Sequence, residues 1–261
     1  MPLIYLDSLR LNAEISGPPD GPPVVLIHAL GTTLHLWDEV AAALPANRVL
    51  RCDLRGHGRS DVPTAPYAMG ALIRDTENLM GHFGMRDAVV VGVSLGGLIA
   101  QGLATKRLDL VRAMVLTNTA AKIGNPALWA ARRAEVASQG LAAYVPGAME
   151  RILGRKWRDH PQMPRLRDML LATDPQGWTG CAAAIAGSDF YTTTAALTLP
   201  ALVIAGANDG TTPPDLVRET ADLMPGCRFE LIRGAGHLSM VDQPAAFIAV
   251  VRDFLRAVGH L

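Results

Sequence analysis

The sequence carries no net charge: 24 lysines and arginines balance 24 aspartates and glutamates over 261 residues. A chain so balanced has no electrostatic footprint for nucleic acid, an anionic membrane or a strongly acidic partner. Cysteine is scarce. Cys52, Cys181 and Cys227 are odd in number and form no C-x-x-C pair. That argues against a disulfide framework or a zinc ribbon and fits a reducing cytoplasm. No apolar run is long enough to span a bilayer. The first 16 residues mix charged and apolar types and lack the basic-then-apolar order of a secretory leader. Repeats and low-complexity tracts are absent too. Dense basic spots are confined to Arg132-Arg133 and Arg155-Lys156-Trp157-Arg158.

What is present is an ordinary globular composition, 49% hydrophobic, in a chain long enough for one large core. Residues 3–6 and 11–15 read as a hairpin turning at Asp7-Ser8, followed by the Pro- and Gly-rich loop 17–23. Val24-Val25-Leu26-Ile27 is apolar on both faces, as a central parallel strand requires. The same signal recurs at 48–53, 88–93, 113–117, 201–205 and 228–232. Between these runs lie helical periods. Met69, Leu72, Ile73, Thr76, Leu79, Met80 and Phe83 fall three and four apart, and so do Phe247, Val250, Val251, Phe254, Leu255 and Val258. Strands alternating with helices predict an α/β fold with a mostly parallel central sheet flanked by helices. The alternation breaks once, over 122–198, a stretch too long for a loop and rich in helical segments. It reads as a helical cap inserted into a core made of 1–121 and 199–261.

Gly92-Val93-Ser94-Leu95-Gly96 matches G-x-S-x-G and sits between the strongest strand and a helix predicted over 97–104. That setting defines a nucleophile elbow. The glycines admit a sharp turn, and the helix N-terminus favours negative charge at Ser94. A serine hydroxyl needs a base. Of seven histidines, His237 stands in Gly234-Ala235-Gly236-His237 just past the last strand, where ligand crevices form. His28 also ends a strand, and His57 lies in a turn and reads as structural. His35, His82, His160 and His260 lie in or beside helical patterns, where solvated or capping roles are expected. His28, His35 and His57 lack a carboxylate at ligand spacing, so no metal site is expected. The orienting acid belongs at another strand end, where Asp209 stands. Asp242 lies closer to His237 in sequence but is expected to begin the final helix, and Asn118 occupies a strand end without a charge.

His28-Ala29-Leu30-Gly31, Asp53-Leu54-Arg55-Gly56-His57-Gly58-Arg59-Ser60, the elbow, Gly206-Ala207-Asn208-Asp209 and Gly236-His237 together resemble the α/β-hydrolase superfamily from end to end. The order Ser94, Asp209, His237 is that family's order. The resemblance implies backbone oxyanion donors at Leu30 and Leu95. Within the family, the segment from Thr117 to Pro126, with Trp129 three residues on, resembles the 3-oxoadipate enol-lactonases of aromatic catabolism. That likeness implies cofactor-independent opening of a small carboxylate-bearing lactone through an acyl-serine. Trp129 and Arg132, at i and i+3, can share one face, and Arg132 could then pair with the substrate carboxylate. Trp37 and Trp157 read as packing residues, and Leu98 and Gln101 as structural. A general carboxylesterase, a cofactor-free perhydrolase or a carbon–carbon bond hydrolase could share the same catalytic residues. So could a ligand receptor built on this fold. Ser94 at the elbow disfavours a haloalkane dehalogenase, whose chemistry uses an aspartate there.

Overall fold

The computed structural model describes residues 3–7, 9–153 and 159–261. Arg155, Lys156, Trp157 and Arg158 lie outside the described residues. β1 (Ile4–Leu6) and β2 (Leu9–Leu11) form a two-stranded antiparallel ribbon. A seven-stranded sheet follows, built from β3 (Ala13–Ser16), β4 (Pro23–Ile27), β5 (Arg48–Cys52), β6 (Ala88–Val93), β7 (Val111–Thr117), β8 (Ala201–Gly206) and β9 (Arg228–Ile232). Its order is β3-β5-β4-β6-β7-β8-β9, with β3 antiparallel to β5 and every other pair parallel.

The expected continuous strand over 11–15 is two strands. Ser60 Oγ accepts the Asn12 N–H at 2.9 Å, and the Asn12 side chain donates to Asp53 at 2.8 Å. With its backbone donor taken, Asn12 leaves the ribbon and the chain changes partner from β1 to β5. The interior strands have the composition their position demands. All six residues of β6 and of β8 are buried, whereas β9 at the edge is mostly half-buried.

Helices cover both faces. α1 (Asp38–Ala42) is short, and α2 (Met69–His82) follows β5. α3 (Leu95–Lys106) packs beneath the elbow, with Leu95 through Ala104 all buried. A helix apolar around its whole circumference belongs in the interior. Among the described residues four α-helices lie between β7 and β8: α4 (Pro126–Leu153), α5 (Met163–Leu171), α6 (Pro175–Ala186) and α7 (Tyr191–Ala195). α4 is broken at Gly140 (φ 78°), giving two arms at an angle. α8 (Pro214–Asp222) precedes β9, and α9 (Ser239–Asp242) and α10 (Pro244–Ala257) close the chain. Trp37 is fully buried against Phe247. Among the described residues no helix is long and apolar enough to cross a membrane.

Candidate active site

Ser94 occupies the turn between β6 and α3 with φ 54° and ψ −115°, a strained conformation for a residue with a side chain. The bend holds because its neighbours leave no room for side chains. A Cβ on Gly92 would meet the Gly96 carbonyl at 2.2 Å, and one on Gly96 would meet the Ile27 carbonyl at 2.2 Å. The Ser94 N–H donates to Thr117 O at 3.1 Å, and Thr119 Oγ1 donates to Ser94 O at 2.7 Å. The strained turn is thereby tied to the end of β7.

Asp209 follows β8 and His237 follows β9. His237 Nδ1 and Asp209 Oδ2 lie 2.8 Å apart, with both side chains buried. The carboxylate is saturated. Oδ2 also accepts from Asn118 Nδ2 (2.8 Å) and Thr212 Oγ1 (2.7 Å), and Oδ1 accepts from the N–H groups of Thr211 (2.7 Å) and Thr212 (3.0 Å). Burial raises the Asp209 pKa, but the charge and hydrogen bond of His237 and the Thr212 and Thr211 donors outweigh it. The carboxyl is therefore held below its ordinary range, as an ionised partner for an imidazolium.

Sequence reasoning noted Asn118 as an uncharged strand end and missed what it does. It takes a left-handed φ of 45°, donates to Asp209, and accepts from Ser239 Oγ at 2.7 Å. It thus bridges the ends of β7 and β8 to the start of α9. Asp242 ends α9, whereas the final long helix begins at Pro244, so the expectation that it begins that helix is corrected. Its carboxylate accepts the Gly236 N–H at 2.5 Å and faces His160 Nε2 at 3.2 Å, bracing the loop that carries His237. His260, expected in a solvated or capping role, is buried and lies 2.8 Å from Pro23 O through Nε2. Gln101 and Thr194 join α3 to α7 through a 2.7 Å bond.

The loop after β4 is held by two histidines. His57 Nε2 accepts the Gly31 N–H, and His28 Nε2 accepts the Leu54 N–H, each at 2.9 Å. The rings meet edge to face at 5.3 Å. Burial, then the neighbouring His28, push the His57 pKa down to about 3, and burial lowers His28 as well. Both are neutral acceptors that cross-brace the loops 28–31 and 53–60. Asp53 completes the brace by accepting from Leu34 N (2.8 Å) and Arg59 N (3.0 Å). Among the described residues the N–H groups of Leu30 and Leu95 have no backbone acceptor.

These groups open onto one cavity, lined by Leu30, Ser94 and His237 below and by residues of the β7–β8 helices above. Trp129 and Arg132 both line it. Trp129 is buried and donates through Nε1 to Ile123 O at 2.7 Å, while the Arg132 guanidinium lies 4.9 Å over its ring. Tyr144 and Arg151, on the second arm of α4, line it too, with Arg151 5.3 Å over the Tyr144 ring. Sequence reasoning missed both, although their i, i+7 spacing on one helix was a usable signal. Among the described residues no group of three metal-binding side chains occurs.

The α/β-hydrolase fold family matches the chain over residues 22–244. The chain is 32% identical to 3-oxoadipate enol-lactonase 2 of Acinetobacter baylyi over 251 residues, covering 95% of this chain and 94% of that protein. It is 28% identical to the pimeloyl-[acyl-carrier protein] methyl ester esterase of Neisseria meningitidis, covering 96% of this chain and all of that protein. Its structure superposes on the crystal structure of the enol-lactonase from Burkholderia xenovorans with a TM-score of 0.94 and 33% identity, covering 98% of this chain and 100% of the other. The chain belongs to the α/β-hydrolase fold family.

Proposed function

We propose that this hydrolase is a carboxylic ester hydrolase that opens a carboxylate-bearing enol-lactone, with 3-oxoadipate enol-lactone as substrate, in the catabolism of aromatic compounds. The observation that carries the reading is one cavity in which the elbow serine and the buried His237–Asp209 pair face an arginine with no ion-paired acid among the described residues. Residues 1–121 and 199–261 form the catalytic core in this reading, and 122–198 the cap that shapes the pocket. The free cysteines Cys52, Cys181 and Cys227 and the lack of a membrane-spanning helix among the described residues fit a cytoplasmic enzyme.

Ser94 Oγ attacks the lactone carbonyl as His237 Nε2 takes its proton. Asp209 fixes the imidazole tautomer through Nδ1 and stabilises the cation that forms. The N–H groups of Leu30 and Leu95 receive the developing oxyanion. The C–O bond of the ring breaks, the enolate takes up the proton from His237 and ketonises, and an acyl-serine remains. Water, deprotonated by His237, then attacks the acyl carbon, and Ser94 leaves with the proton. The product is 3-oxoadipate. Trp129 packs against the ring, and Arg132 pairs with the free carboxylate.

A second reading, a carboxylesterase for linear esters, is favoured by the methyl ester esterase relatives. Both are tested by the rates of hydrolysis of 3-oxoadipate enol-lactone and p-nitrophenyl acetate, together with peroxide-dependent halogenation. The lactonase reading expects the lactone to exceed the simple ester in kcat/KM by at least about a hundredfold, the scale of several kcal/mol of specific carboxylate binding. A protein indifferent to the lactone is not a lactonase.

A further inference from the structure

The cavity wall carries a second cation that the proposed mechanism does not use. Arg151 stands near the end of α4, one turn from Ala148 and two from Tyr144, all three facing the pocket. Its guanidinium lies over the Tyr144 ring, with Nη1 folded back over Gly147. Arg132, on the first arm of α4, lies over Trp129 and feels the Arg151 charge. Among the described residues no carboxylate forms an ion pair with either guanidinium, and residues 154–158 contain no aspartate or glutamate. The pocket lining likewise contains no acid. Two like charges therefore face one cavity without an ion-paired acid among the described residues, the Glu135 charge acting on Arg132 from outside the lining, an arrangement that an entering anion would relieve.

We infer that Arg151 and Arg132 form a single carboxylate subsite, with Arg151 as the second specificity-determining residue of the pocket. The break at Gly140 angles the two arms of α4 so that each presents one aromatic-backed guanidinium to the same space. A ring face beneath each guanidinium holds it flat without consuming its donors, leaving N–H groups free for a ligand oxygen. A carboxylate has two oxygens and can accept from both arginines at once, whereas a neutral ester end satisfies neither.

The backbone of the same turn grips the catalytic loops. Arg151 O accepts the Gly210 N–H at 3.1 Å, and Ile152 O accepts the His237 N–H at 2.7 Å. The residue that reads the anion is thus covalently next to the carbonyls that hold the acid and base loops. Binding energy from the remote carboxylate is delivered where His237 is positioned.

This inference rests on the lactonase reading only for the identity of the carboxylate's owner, so its test avoids the lactone. Hydrolysis of p-nitrophenyl acetate reports active protein, and adipate and adipamide compete with it. The two inhibitors share shape and differ in charge, so a merely structural defect weakens both alike. Wild type should prefer adipate, and Arg151→Met should reduce that preference about tenfold or more, with Arg151→Lys retaining part of it. Arg132→Met should do the same, and the double variant should lose less than the product of the two single losses, because both grip one anion. An unchanged adipate preference in Arg151→Met overturns the inference, and so do independent, multiplicative losses in the double variant. If adipate discriminates as expected while the enol-lactone is not opened, the subsite stands and the substrate assignment falls.

Discussion

The two walls of the cavity handle polar groups in opposite ways. Below, the groups that orient the reaction centre are tied into hydrogen bonds. Asp209 accepts five hydrogen bonds from His237, Asn118, Thr211 and Thr212, and the loop 28–31 is cross-braced by His28 and His57. Above, on α4, Arg132 and Arg151 are backed by aromatic rings and have no acid partner among the described residues. A satisfied network is rigid, and rigidity is what proton transfer over a few ångströms requires. An unsatisfied charge is a vacancy for a ligand. In the proposed reading, chemistry is built at the carboxyl ends of the sheet strands, and selectivity into the helices that cover them.

The sharpest break comes at the lower wall. Ser94→Ala should lower kcat by roughly a millionfold, the scale seen when a serine nucleophile is removed. Mass spectrometry after treatment with an organophosphonate should then find no label, and labelling at the wild-type level would end the assignment. Asp209→Asn should cost about ten-thousandfold in kcat by favouring the wrong imidazole tautomer. Asp242→Asn should cost far less, because Asp242 braces the Gly236 N–H and not the ring of His237. Reversal of that order in steady-state kinetics would mean Asp242 is the orienting acid.

The upper wall should respond selectively. Arg132→Ala should reduce kcat/KM for the enol-lactone by about thirtyfold to several thousandfold, the equivalent of roughly 2–5 kcal/mol. The loss on p-nitrophenyl acetate should be smaller, since that ester has no carboxylate to lose. Equal losses on the two substrates would assign Arg132 to support of the cap.

Smaller effects sharpen the contrast within the lower wall. His57→Leu removes the acceptor of the Gly31 N–H and should destabilise the fold by about 1–3 kcal/mol, with about a tenfold drop in kcat. His57→Gln retains an acceptor and should recover part of both, as thermal melts and turnover on one preparation would reveal. With its pKa held near 3 by burial, His57 stays neutral and adds no limb to the pH–rate profile above pH 4. Asp209 contributes to the pH dependence of stability instead. Its carboxyl is depressed in the folded state, so its contribution is complete above the unfolded value of about 3.9 and fades as pH falls through the folded one. Asp209→Asn should flatten that acid-side decline in melting experiments below about pH 4.

Most of the lower wall could be seen in the sequence because it depends on local signals. The elbow announces itself by two glycines flanking Ser94 at the end of a valine-rich strand, and Asp209 and His237 each follow an apolar run by a few residues. The split of the second strand at Asn12 was not visible, because its cause is Ser60, 48 residues away. The duty of Asn118 was hidden for the same reason, since its partners Asp209 and Ser239 lie 91 and 121 residues away. Asp242 acts on Gly236, six residues back, through a turn that only the folded loop forms, and on the remote His160.

Strand periodicity and the serine turn follow from the sequence, because hydrophobic burial and backbone sterics act over a few residues, and the proposed order of nucleophile, acid and base follows from the family resemblance. The contact between Asp209 and His237, the duties of Asn118 and Asp242, and the presence of Arg151 on the same cavity as Arg132 follow from the tertiary structure alone. They depend on where the sheet order brings β7, β8 and β9 together and on the angle at Gly140, and those distances are set by packing across the whole chain.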